Sequence, residues 1–151
     1  MLTLTTKPNI RAIGGIRHQL SAEGDDGSFI SLPMDSFWFL YAMTDMVSGL
    51  IRFFDDTRAK HYVFDSNEGE FGLKFERRKG NVIWGFGGAS GQRIKIGQAD
   101  PATLSAAITA LCNQIEVDQT LRDDLDLTVD WEAEAWPEFT KVARRWRVQE
   151  G

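Results

Sequence analysis

Leu40, Met43, Val47, Leu50 and Phe54 recur at spacings of three and four residues, while Phe71, Leu73 and Phe75 alternate with Gly72, Lys74 and Glu76. The first period puts one apolar stripe on a helix, and the second puts one apolar face on a strand. A chain carrying both must bury a helix against a sheet. Phe39, Met46 and Phe53 widen the helical stripe, Asp45, Ser48 and Arg52 fall opposite it, and Asp35 stands where an N-cap belongs. The run Phe37–Tyr41 is also β-prone, so the start of this helix stays open. Asp55-Asp56-Thr57 ends it with acids at the negative pole of the helix dipole, an anomaly that marks a place to look for a site.

Short β segments surround this helix. Leu2, Leu4 and Thr6 alternate until Pro8-Asn9, and Ile10–Ile13 and Ile16–Leu20 flank Gly14-Gly15 as a hairpin. Glu23–Gly27 is a turn by composition, and Phe29–Leu32 is a strand that Pro33 ends. His61–Phe64 is β-prone, and Phe71–Phe75, Val82–Phe86 and Arg93–Ile96 read as three adjacent antiparallel strands. Asp100-Pro101 opens a second helix, with Leu104, Ala107, Ile108, Leu111 and Ile115 as its stripe. A short element follows around Leu121, Leu125, Leu127 and Val129, and Pro137 begins a last short helix carrying Phe139, Val142 and Trp146. The expected fold class is α+β: one antiparallel sheet of five or six strands, two main amphipathic helices on one face, and a short C-terminal helix.

At 151 residues and 42% hydrophobic, the chain is expected to form a single domain, 1–151. No apolar run reaches the roughly 18 residues of a membrane span, and the opening residues lack the basic-then-apolar pattern of a signal peptide. The lone Cys112 cannot form an internal disulfide, so a cytoplasmic protein is expected.

The formal charge of −5 is concentrated. Residues 1–115 balance at 12 acids and 12 bases, whereas 116–138 hold nine acids against Arg122 alone. Those acids are Glu116, Asp118, Asp123, Asp124, Asp126, Asp130, Glu132, Glu134 and Glu138, and Lys141, Arg144, Arg145 and Arg147 then reverse the sign. Such a segment repels nucleic-acid phosphate and attracts a basic protein surface, such as the groove of a nuclease. A solvated face that keeps the chain soluble is the plain alternative.

The chemical motifs fail on context. Gly85-Phe86-Gly87-Gly88-Ala89-Ser90-Gly91 has Ser90 where a dinucleotide fingerprint needs its third glycine, and a strand follows it instead of a helix. Gly88-Ala89-Ser90-Gly91 falls one residue short of a nucleophile elbow. His18 and His61 have no partner at ligand spacing, and Asp124-Leu125-Asp126 lacks the rest of a calcium loop. Cys112 has no electropositive neighbour in sequence to activate it. Asp55-Asp56 with Glu68 and Glu70 can be imagined as paired carboxylates, but spacing alone does not bring them together. Arg77-Arg78-Lys79 and Arg144-Arg145-Trp146-Arg147 are basic clusters too small to offset a net acidic chain, and the latter are expected to pair with the acids before them. No catalytic set, metal or cofactor is expected.

The order of elements carries a resemblance. A central helix ends in Leu50-Ile51-Arg52-Phe53-Phe54, a meander begins Glu70-Phe71-Gly72-Leu73-Lys74-Phe75-Glu76, and Asp100-Pro101 opens a second helix. Over about residues 28–115 this layout resembles small cytoplasmic immunity proteins of bacterial polymorphic toxin systems. The resemblance implies a single acidic domain without catalytic residues that blocks a cognate toxin by direct binding. For such a partner the expected contact residues are Asp118, Asp123, Asp124, Asp126, Asp130, Trp131, Glu132, Glu134 and Trp136, the two tryptophans serving as anchors. Packing of both tryptophans on their own core stays open. So do two other functions: a chaperone for a secreted effector, which would dimerise and expose an apolar groove, and an enzyme with an unrecognised site.

Overall fold

The computed structural model describes the backbone of residues 3–10, 16–23, 29–65, 71–88, 93–123 and 125–150, and the side chains of 39–64, 73–82, 98–119, 121–123 and 125–148. The architecture is α+β, with antiparallel strands throughout. Strands β1 (Thr3–Ile10), β2 (Ile16–Glu23) and β3 (Phe29–Asp35) form one meander, with Ile10 opposite Ile16 and Glu23 opposite Phe29. Strands β4 (His61–Asp65), β5 (Phe71–Arg78), β6 (Asn81–Gly88) and β7 (Arg93–Ala99) form a second.

The single sheet of five or six strands is thus corrected to two sheets, of three and four strands. The reason lies between β3 and β4. Hairpin-linked strands pair with their neighbours, but helix α1 (Ser36–Asp55) intervenes here and carries the chain about 30 Å before β4 begins. Pro8 and Pro33 do not end their strands either. Each lies inside an edge strand of the three-stranded sheet, where a residue without an N–H is tolerated. The hairpin expected at Gly14-Gly15 and the turn Glu23–Gly27 fall largely outside the described residues, though β1 pairs with β2 and β2 with β3 across them. Lys79 and Gly80 make a two-residue turn with positive φ at both positions, 50° and 83°, which matches the right-handed twist of β5 and β6.

Helix α1 begins directly after Asp35 and runs through Phe37–Tyr41, which resolves the ambiguity in that run. Its buried surface is broader than one stripe: Phe39, Leu40, Ala42, Met43, Met46, Val47, Leu50, Ile51 and Phe53 are all buried. Two layers cover it. Strands β2, β3 and β4 lie against it, and so does α4 (Asp130–Glu150). Burial of each such large side chain stabilises by roughly 1.5–3 kcal/mol before entropy is counted. Helix α2 (Pro101–Glu116) packs on β1, β6 and β7, burying Leu104, Ala107, Ile108, Leu111, Cys112 and Ile115. Its N-cap is Asp100, whose carboxylate accepts from the Thr103 N–H at 2.7 Å, with Pro101 in the first turn.

The expected short C-terminal helix is instead a 21-residue helix, and Pro137 lies inside it. Pro137 leaves the Ala133 carbonyl without its usual donor. Contacts on both sides of the proline offset that loss. Ala135 is buried and the Trp136 ring lies under the Arg122 guanidinium at 4.4 Å on one side, while Phe139, Val142, Ala143 and Trp146 are buried on the other. Trp146 ties the helices together. Its ring meets Phe54 of α1 edge-on at 5.5 Å, and its Nε1–H donates to Thr109 Oγ1 of α2 at 2.9 Å. The expected pair of helices on one face is therefore a set of three long helices, with α4 in contact with both others.

Candidate functional site

The acidic segment begins at the end of α2 and crosses α3 (Gln119–Asp123) into α4. Much of its charge is engaged in the local fold. Glu116 pairs with Arg147 at 2.8 Å, and Arg147 also donates to Asn113 Oδ1 at 2.7 Å, fixing α4 to the last turn of α2. Glu116 holds the Arg147 guanidinium above its usual range, chiefly by hydrogen bonding. Arg122 donates to the Glu116 carbonyl at 2.6 Å while lying over Trp136.

Asp118 caps α3 by accepting from the Leu121 N–H at 3.0 Å, and Asp123 accepts from Gln119 Nε2 at 2.7 Å. Asp126 accepts from the Thr128 hydroxyl at 2.6 Å and from its N–H at 3.0 Å, and these donors hold its carboxyl below the ordinary carboxylate range. Glu132 reaches back to accept from the Asp126 N–H at 2.6 Å, closing the turn into α4. These carboxylates accept from backbone N–H groups of the turns and of the α3 start, which explains why acids gather there.

The structure divides the expected contact residues. Trp136 is half-buried, stacked beneath Arg122 and 6.3 Å from the Phe139 ring, so it belongs to the core margin. Trp131 is 55% exposed, and Leu127, in the turn that precedes α4, is 71% exposed. Asp123, Asp126, Asp130 and Glu134 are exposed in the same stretch. Asp124 lies outside the described residues. Sequence reading grouped Leu127 with buried Leu125 and so missed it; the intervening turn rotates one in and the other out.

Along α4 the change of charge sign matches the helix dipole. Asp130, Glu132, Glu134 and Glu138 occupy the N-terminal half, and Lys141, Arg144, Arg145 and Arg147 the C-terminal half. Each end charge of this sense contributes about 0.3–1 kcal/mol when it lies in the terminal turn. Of the C-terminal bases, Arg147 makes the expected pairing with the acids, while Arg144 and Arg145 line a shallow groove of about 410 Å³ with Ile51, Asp55 and Val148. That groove runs between the C-terminal ends of α1 and α4.

The acids that end α1 also have a local explanation. Arg77 of β5 donates to the carbonyls of Phe53, Asp56 and Ala59, placing a cation where the helix dipole calls for one. Asp56 accepts from the Arg58 N–H at 3.0 Å. Glu68 and Glu70 lie outside the described residues, as does the tip of the glycine-rich loop, but strand β7 follows that loop. Among the described residues no three His, Cys, Asp or Glu side chains are placed to hold a metal ion, and no helix is long and apolar enough to cross a membrane.

Comparison of the chain with protein-family models, curated proteins and solved structures finds no match.

Proposed function

We propose that this chain is a non-catalytic binding protein that neutralises a basic partner protein through the turn before α4 and the first turns of that helix. One observation carries the reading: two large apolar side chains, Leu127 and Trp131, stand exposed among the carboxylates of Asp123, Asp126, Asp130 and Glu134. Apolar anchors with a charged rim are the anatomy of a protein interface. The acids add long-range attraction for a basic surface and speed its approach. The sequence resemblance to immunity proteins makes that partner a cognate bacterial toxin met in the cytoplasm, and a nuclease groove has the charge required.

The test is capture of partners from the source cell at low and high salt, beside D123N/D126N/D130N and W131A variants. Asparagine keeps the acceptors that the turn and caps use, so the triple variant removes charge without removing the fold. We expect one basic protein in stoichiometric amount, released by salt and lost from W131A by about 2 kcal/mol or more. A partner retained by both variants, or none that is basic, overturns the reading.

A further inference from the structure

The outward stripe of α4 reads Trp131, Glu134, Glu138, Lys141, Arg145, Val148, and all six side chains are exposed, Val148 at 77%. Their spacing is three, four, three, four, three, so the stripe runs nearly straight along the helix, as the seam of a two-helix coil does. The order reverses in charge about its centre: apolar, acid, acid, base, base, apolar. A two-fold axis passing between α4 and the α4 of a copy, level with the Phe139–Thr140 step, would set Trp131 against Val148 of the copy, Glu134 against Arg145 and Glu138 against Lys141. Every pair would join an apolar side chain to an apolar one or an acid to a base.

We propose that this stripe is a self-association surface on which two copies of the chain pair their α4 helices antiparallel. A two-fold interface must be self-complementary, and this pattern meets that condition at each of its three layers. Within one copy the same stripe holds like charges at i and i+4 twice, Glu134 with Glu138 and Lys141 with Arg145, which repel each other. The copy sets each of these charges against its opposite. The ends are closed by the groove beside Val148, whose floor includes buried Ile51 and which receives the copy's Trp131 indole. The net charge of −5 opposes pairing only weakly, because charges spread over the surface are screened beyond about 10 Å while the layers meet at contact distance.

The inference does not rest on the partner-binding reading. Trp131 belongs to both surfaces, so a basic partner and a second copy would compete for it.

The test is sedimentation equilibrium of the whole chain and of two charge-reversed variants, E134R/E138K and K141E/R145E, at about 0.15 M salt. Circular dichroism checks that each variant is folded, as the exposure of all four positions leads one to expect. The wild-type chain is expected to dimerise. Each variant alone is expected to be monomeric, its stripe now of one sign, and an equimolar mixture of the two is expected to restore the dimer. Three results would overturn the proposal: a wild-type chain monomeric up to about 1 mM, a variant that still dimerises alone, or a mixture that stays monomeric.

Discussion

The guanidinium of Arg77, on the second strand of the four-stranded sheet, lies 4.0 Å from the centre of the Phe53 ring while also donating to the Phe53 carbonyl. One side chain thus packs on the last turn of α1 and donates to one carbonyl of that turn and two just beyond it. The sheet and the helix end are joined at that point.

Replacing Arg77 by Met should therefore unfold the protein more easily, by about 1.5–3 kcal/mol, the range for hydrogen bonds to a charged group. Arg77→Lys should recover less than half of the loss, because an ammonium cannot reproduce the fork that reaches Phe53, Asp56 and Ala59 together. Urea midpoints at constant slope measure both. Equal stability of the Lys variant and the wild type would show that charge alone matters there.

Gly49 is buried in α1, and a Cβ built on it would overlap the Tyr62 ring. Alanine gains about 1 kcal/mol in helix propensity. Displacing a ring stacked on Phe75 costs about 1–3 kcal/mol, so the net effect of Gly49→Ala is destabilising. In a Tyr62→Ala background the obstacle is gone, and the same substitution should become stabilising. Failure of the sign to reverse would rule out the ring as the cause.

Trp146 and Thr109 should show coupling in a double-mutant cycle. Trp146→Phe removes the donor to Thr109, and Thr109→Val removes the acceptor. The double variant should lose about 1 kcal/mol less than the sum of the single losses. Strict additivity would show that the 2.9 Å contact contributes nothing.

Acid stability follows from two carboxylates. Asp100 is held below its ordinary value near 3.8 by the Thr103 N–H, and Asp126 by the Thr128 hydroxyl and then its N–H. A lowered folded-state value means that the unfolded chain binds more protons in that range. Their contribution is therefore present above about pH 4 and is lost as the pH falls through the folded values. In D100N/D126N the decline in melting temperature below pH 4 should be shallower. An unchanged acid limb would place the sensitive groups elsewhere.

The two periodicities in the sequence locate α1, α2 and the three adjacent strands β5, β6 and β7, because such patterns are local and each turn carries its own residues. Asp100-Pro101 was legible for the same reason: cap and first turn are adjacent in sequence. Pro8, Pro33 and Pro137 were not legible. Whether a proline is tolerated depends on which edge a strand occupies, or on what packs beside a helix, and neither is written within a few residues of it. Arg77 looked like part of a basic tip, yet its acceptors lie 18 to 24 positions earlier in the chain. In the acidic segment composition gave the charge but not its uses. Trp131 and Trp136 are equal as letters, and it is the fold that brings Arg122 and Phe139 against Trp136 and sets it at the core margin.

Helix α4 closes over a helix made far earlier, and this sets an order for biosynthesis. When α1 leaves the ribosome it can meet its strands as they follow, but the side that carries Phe54 must wait for Trp146. Until then the nascent chain displays an apolar helix flank that invites chaperones and proteases. A stop codon or frameshift anywhere before α4 would therefore yield a product with its core open, fit for degradation rather than for partial activity.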